Sequence, residues 1–152
     1  MRLRLATHDD VAFLVRVVLE TVSARGSDSA VATASTSDGG LAQHARDRIA
    51  SDVVAGDTYV IELAGDPVGR LRVVRTADCL DMSGLQILPR FQSQGIGSAV
   101  IRTLMEEALT SGKILELGVM SSNQRARGLY ERLGFREVGM DNSEVRMRWV
   151  SW

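Results

Sequence analysis

This 152-residue chain has one cysteine, one lysine and few aromatic residues. Cys79 stands alone, so no disulfide can form within the chain, which suits a reducing compartment. Aromatic residues make up 5%, and 18 Lys+Arg against 19 Asp+Glu leave a net charge of -1. A surface for nucleic acid would need a basic field and rings to stack bases, and the sequence offers neither. No apolar run reaches the length of a membrane span. The start, M-R-L-R-L-A, has no apolar signal core after its charges. The expectation is a soluble, cytoplasmic protein with no nucleic-acid or membrane partner. His8 and His44 are isolated, and Cys79 has no C-x-x-C partner, so no metal is assigned.

What is present is the pattern of one α/β domain. A hydrophobic fraction of 45% and this length suit a single core. Arg2 to Ala6 alternates polar and apolar, as a half-buried strand does. Thr7-His8-Asp9-Asp10 supplies capping residues for a helix over 9–24, whose apolar face is Val11, Leu14, Val15, Val18 and Leu19. Residues 25–40 are small, polar and glycine-flanked, and read as a flexible loop. A helix over 41–54 follows. Strands are predicted over 58–63, 68–74 and 81–88, the last ended by Pro89. A helix over 95–110, a buried strand over 114–119, a short helix capped by Ser121-Ser122-Asn123 and closed by Gly134, and a hairpin around Asp141-Asn142 complete the order. The sheet should be largely antiparallel.

The segment Gln92-Ser93-Gln94-Gly95-Ile96-Gly97 lies where a strand gives way to a helix. Glycines there permit sharp dihedrals and close approach of a ligand to the backbone. The first helical turn offers free N–H groups and the positive end of the dipole, which together favour an anion such as phosphate. No Asp or Glu occurs between Pro89 and Glu106, and Arg90 adds positive charge. A G-x-G pair alone is weak. Ser98-Ala99-Val100 does not continue the dinucleotide fingerprint, and no G-K-[ST] occurs. A glycine-rich helix start with no ligand explains the turn equally well at this point.

Two later segments weigh on that choice. Leu115-Glu116-Leu117-Gly118-Val119 precedes Asn123, and Ala126-Arg127-Gly128-Leu129-Tyr130-Glu131-Arg132-Leu133-Gly134-Phe135 follows. With Leu85 to Gly97, they resemble the GCN5-related N-acetyltransferase (GNAT) superfamily. Gln92, Gly95 and Gly97 meet its [QR]-x-x-G-x-[GA] signature. Asn123, Ala126, Tyr130, Gly134 and Phe135 meet its later N-x-x-A-x-x-x-Y-x-x-x-G-F pattern. The detailed likeness covers residues 80 to 150, and the element order extends it over most of the chain. Residues 21–43 depart from the pattern; in this family that region lies near the acceptor and varies widely.

The resemblance implies a single-domain acyl-CoA N-acyltransferase fold over residues 1–152, with a mixed, mostly antiparallel sheet flanked by helices. It implies transfer of an acetyl group from acetyl-CoA to a primary amine of a small molecule or protein, in a ternary complex. Backbone groups of Ile87 and Leu88 would pair with the pantetheine arm near a bulge, and N–H groups from Gln92, Ser93, Gln94, Gly95, Ile96 and Gly97 would bind the pyrophosphate. Asn123 would face the cofactor, though plain N-capping also explains it. Tyr130 would be the general acid for the leaving thiolate, with a packed helix residue as the blander role. Asp81 and Glu116 are the candidate bases, directly or through water. Asp81 is equally a strand-start residue. Arg125 and Arg127 read as solvated surface, with cofactor phosphates as the other reading. Trp149 should pack in the last strand, and Trp152 is a candidate homodimer contact. Two alternatives stay open: a non-catalytic acyl-CoA sensor, and a structural or interaction domain that keeps only the fold.

Overall fold

The computed structural model describes residues 1–24 and 38–150. Strand β1 spans Arg2–Leu5, and a 3-10 turn, His8–Asp10, leads into α1, Val11–Ala24. Helix α2 spans Asp38–Ala55. Strands β2 (Thr58–Leu63), β3 (Asp66–Arg75) and β4 (Cys79–Ile87) follow, then a 3-10 turn at Pro89–Phe91 and helix α3, Ile96–Ser111. Strand β5 (Ile114–Met120), helix α4 (Gln124–Arg132) and strands β6 (Arg136–Asp141) and β7 (Glu144–Trp149) complete the order.

Most of the loop expected over 25–40, and the Trp152 dimer contact, lie outside the described residues. At its C-terminal end that loop expectation is corrected: Asp38 to Gly40 belong to α2. Strand β4 starts two residues earlier than expected, and Leu88 leaves it to begin the 3-10 turn.

The seven strands form one mixed sheet in the order β1-β2-β3-β4-β5-β7-β6, flanked by the helices. Pairs β1–β2, β2–β3, β5–β7 and β6–β7 are antiparallel; β4–β5 is parallel. In the parallel pair β4–β5, α3 supplies the crossover that parallel strands need. The β4–β5 register runs from Cys79 opposite Ile114 to Met82 opposite Leu117. Both strands continue past that last pair, β4 to Ile87 and β5 to Met120.

The chain gathers into two compact units. Met1–Arg72 with Gly84–Ile96 forms one, and Val73–Ser83 with Gly97–Trp152 the other. In the first, Val11, Leu14, Val15, Ile49, Val60 and Ala6 form a core cluster, joined by Phe13, Val18, Leu19, Ala45 and Val53. Apart from Ala6 and Val60, these residues belong to α1 and α2, and each fully buried Leu or Val contributes about 1.5–3 kcal/mol. The entry to α1 is capped reciprocally: the Thr7 N–H donates to Asp10 Oδ2 at 2.8 Å, and Arg4 grips both Asp10 oxygens at 2.9 and 3.0 Å. In the second unit, Val100, Ile101, Leu104 and Ala108 of α3 are buried, as are Leu115, Leu117 and Val119 of β5 and Val145 and Met147 of β7. Glu116 and Gly118, and Arg146 and Arg148, alternate with them, so the opposite face of β5 and β7 is polar.

Candidate active site

In the first unit, strand β4 ends at Ile87 and Leu88 turns the chain. The Leu88 N–H donates to the Val68 carbonyl at 2.9 Å, and its own carbonyl accepts from the Phe91 N–H at 2.9 Å. Gln92 Nε2 donates back to the Ile87 carbonyl at 2.9 Å, and Gln94 Nε2 to the Arg90 carbonyl at 3.3 Å. Both glutamine side chains therefore close on carbonyls of the same turn. Ser93 (φ 62°) and Gly95 (φ 83°) are left-handed. Left-handed residues interleaved with ordinary ones curl successive N–H groups inward, an arrangement that concentrates donors on an anion. Gln92 to Gly95 are exposed. A Cβ built at Gly95 or Gly97 meets no atom within 4 Å, so the space over both glycines is open.

Helix α3 starts directly after this turn, with no acidic residue in its first turn. Its positive end is thus not neutralised locally. Arg90 is exposed beside the turn, with its guanidinium 5.1 Å from the Phe91 ring centre and 3.9 Å from Glu20. Leu19, Glu20, Pro89 and Arg90 line a groove of about 390 Å³. The expected residues Gln92 to Gly97 thus form one turn, and Ile87 and Leu88 lead into it. The Gln92 side chain has a role the sequence did not disclose: it ties the turn to the end of β4.

In the second unit, Asn123 is the N-cap of α4 and its Oδ1 accepts from the Ala126 N–H at 3.2 Å. Tyr130 is buried in the last turn of α4, with its ring 5.8 Å from that of Phe135. Gly134 (φ 104°) ends the helix beside the Trp149 indole, which a Cβ there would meet at 3.2 Å. Arg127 donates to the Ser121 carbonyl at 3.2 Å and pairs with Glu137 at 3.3 Å, which ties it to its own unit.

The two candidate carboxylates meet. Asp81 lies opposite Glu116 in the β4–β5 register, and Arg146 of β7 reaches Asp81 at 3.3 Å and Glu116 at 3.4 Å. Glu116 is also held by Arg148 at 3.0 Å, and Glu144 approaches Arg146 at 3.5 Å. Burial works against the Arg146 charge, but Asp81 and Glu116 hold its pKa above the ordinary arginine value. Nothing in sequence spacing announced Arg146 and Arg148 as partners, because their register with β5 is a tertiary fact. The Cys79 thiol is pushed up by burial first and then by Glu116 and Asp81, so the thiolate a nucleophile needs is disfavoured. Among the described residues no group of three or more metal-ligating side chains occurs, and no helix is long and apolar enough to cross a membrane.

The chain is an α/β domain with a mixed sheet and a glycine-lined helix start behind a strand, a layout on which anion sites are often built. Comparison with known proteins makes this specific. Residues 30–135 match the Acetyltransferase (GNAT) family, and the chain belongs to that family. It is 33% identical over 101 residues to an uncharacterized N-acetyltransferase of Methanocaldococcus jannaschii, a stretch covering 59% of this chain and 43% of that relative. The chain therefore spans less than half the length of that relative. Its fold is similar to an acetyltransferase of Thermus thermophilus, with TM-score 0.77 and 19% identity over 97% of this chain and 95% of the other. It is also similar to the PaiA N-acetyltransferase of Thermoplasma acidophilum, solved in complex with coenzyme A, with TM-score 0.75 and 15% identity over 97% and 96%. The family is one of acetyltransferases that take their acyl group from acetyl-CoA.

Proposed function

We propose that this chain is a single N-acetyltransferase domain that transfers the acetyl group of acetyl-CoA to a primary amine by direct attack in a ternary complex. The observation that carries the reading is the Gln92–Gly97 turn: left-handed Ser93 and Gly95, side chains folded away onto backbone carbonyls, and an unneutralised helix start. The pyrophosphate of the donor is the anion for which this turn is suited. The Leu88 N–H and one lone pair of the Ile87 carbonyl are already engaged. The Ile87 and Leu88 carbonyls are the groups that would accept from an amide N–H of the pantetheine arm.

Tyr130 protonates the departing thiolate, so that coenzyme A leaves as a thiol. Asn123 serves α4 as its cap, and its cofactor role is secondary. Asp81 is the better of the two carboxylates for accepting the amine proton, directly or through water. Its side chain is 38% exposed with one arginine on it, whereas Glu116 is 17% exposed and held by Arg146 and Arg148. The amine attacks the thioester carbonyl, the tetrahedral intermediate collapses, and the C–S bond breaks as the C–N bond is kept.

A second reading, an acyl-CoA sensor without turnover, is favoured by one observation: both carboxylates are tied up by Arg146. Coenzyme A release against a panel of amines decides between them. Catalysis predicts release that depends on amine and rises with pH as the amine deprotonates. Binding of acetyl-CoA with no release over the panel would establish the sensor. Tyr130→Phe should lower kcat about 100-fold while acetyl-CoA affinity holds. Unchanged kcat, with chemistry shown to limit the rate, would remove Tyr130 from the mechanism.

A further inference from the structure

Glu144 begins β7 and shares its sheet face with Arg146 and with Glu116 and Gly118 of β5. In the β5–β7 register Gly118 lies opposite Arg146, and Met120 opposite Glu144. Gly118 and Glu144 are therefore diagonal neighbours, a separation that a long side chain spans in an antiparallel pair. The Glu144 side chain does span it, because a Cβ built at Gly118 would fall on the Glu144 carboxyl group. Glycine at 118 thus leaves a seat on the β5 backbone, and the Glu144 carboxylate lies in it.

The seat is where the parallel pairing stops. Met82 opposite Leu117 is the last β4–β5 pair, so Gly118 is the first β5 residue beyond it. Asp81 and Glu116 form the pair before that last one. Two residues of strand place Gly118 about 7 Å further along β5 than Glu116. In the acetyltransferase reading the donor runs from the pyrophosphate at Gln92–Gly97 past Leu88 and Ile87, back along β4. Its acyl end comes last, on the approach to the end of the pairing.

Three carboxylates meet Arg146, and they are held differently. Both Glu116 oxygens are engaged, Oε1 by Arg146 at 3.4 Å and Oε2 by Arg148 at 3.0 Å. Asp81 Oδ1 accepts from Arg146 at 3.3 Å. Glu144 Oε1 stands 3.5 Å from Arg146 Nη1, at the outer limit of a hydrogen bond. Its side chain is 46% exposed, more than that of Asp81 or Glu116. A loosely held, open carboxylate keeps lone pairs for an incoming N–H.

We infer that Glu144, seated on Gly118, is the carboxylate that meets the acceptor amine and takes its proton. This rests on the acetyltransferase reading, and Asp81, the better of the other two carboxylates, is its rival. As the amine nitrogen bonds to the thioester carbon it becomes acidic. Its N–H bond breaks and the proton passes to Glu144, while the C–S bond breaks and Tyr130 supplies the proton of the leaving thiol. Glu144 then returns its proton to water.

Coenzyme A release is measured for the full chain with cadaverine, lysine and tyramine as acceptors, and acetyl-CoA binding is followed separately by calorimetry. Glu144→Gln should lower kcat about 100-fold on each acceptor the wild type uses, with acetyl-CoA affinity held. Gly118→Ala pushes the carboxylate off its seat and should lower kcat about 10- to 100-fold although Glu144 is intact. Glu144→Ala empties the seat, and sodium formate, a carboxylate small enough to enter it, should restore part of the lost rate without raising that of the wild type. A merely structural role would not give that rescue. Asp81→Asn should cost less than Glu144→Gln. Unchanged kcat in Glu144→Gln, with chemistry shown to limit the rate, overturns the inference. So does an equal or larger loss in Asp81→Asn, which returns the base to β4, and so does a loss in Glu144→Ala that formate leaves as it is. Acetyl-CoA binding with no release on any of the three acceptors overturns it as well, because a sensor has no proton to move. Absence of acetyl-CoA binding sinks the acetyltransferase reading itself, and calorimetry tells that failure from the others.

Discussion

Gly69 on β3 lies directly against the carbonyl oxygen of Gln86 on β4: a Cβ at 69 would stand 2.5 Å from it. The obstacle is backbone, which cannot swing aside. Gly69→Ala should therefore destabilise the fold by about 1–3 kcal/mol or more, as overpacking does. Gly118→Ala is the contrast. Its Cβ would collide with the Glu144 side chain, but that chain is flexible and partly exposed, and its pairing with Arg146 is only 3.5 Å. The cost there should stay below about 1 kcal/mol, the scale of an exposed ion pair. Denaturant midpoints of the two variants check the ordering, and an equal loss would refute it.

Gly95 and Gly97 separate fold from ligand. Gly95→Ala forces a residue with a side chain into φ 83°, at a cost of about 1–2 kcal/mol, and should weaken coenzyme A binding as the turn relaxes. Gly97 has no positive φ and open space around it, so Gly97→Ala should leave the melting temperature nearly unchanged. A drop in coenzyme A affinity in Gly97→Ala then reports contact with the ligand alone. Unchanged affinity would move the pyrophosphate off this turn.

Asn123 can be divided in the same way. Asn123→Ala removes the cap of α4 and should cost about 1 kcal/mol of stability. Asn123→Ser keeps a capping oxygen and should recover most of that loss. If acetyl-CoA affinity recovers with it, Asn123 acts through the helix. If affinity stays low in the serine variant, Asn123 also touches the cofactor.

The Arg4–Asp10 pair should make folding sensitive to acid. Hydrogen bonding from Arg4, opposed by burial, holds the Asp10 carboxyl below its ordinary value. A depressed carboxylate contributes stability that is complete above its unfolded pKa, near pH 4, and is lost as pH falls through the lower folded value. Asp10→Asn should remove that contribution at neutral pH and flatten the acid limb of the stability curve. Denaturant unfolding between pH 2 and pH 7 measures both. A variant with the same acid limb as the wild type would show that other carboxylates carry it.

Much of the fold was legible because its signals are local. Thr7 and Asp10 cap one helix and Asn123 another. Apolar residues recur at helical spacing in α1 and α3. The loop expected through Gly40 overran because Asp38 starts α2 ahead of two glycines, and composition alone reads glycine as a break. Gln92 was legible as part of a turn, but its bond to Ile87 depends on where β4 stops, which no local rule sets.

The sequence by itself determined the glycine turn at Gln92–Gly97 and the order of elements. Left-handed backbone, capping oxygens and apolar period act over a few residues, and the chain writes them in order. Tertiary structure alone decided that Asp81 and Glu116 share Arg146, and that the Arg70 guanidinium lies against Gly84 and Asp52. Those meetings follow from strand register between segments far apart in the chain. Register is settled by which faces bury their apolar residues together, a sum over the whole sheet that no single segment carries.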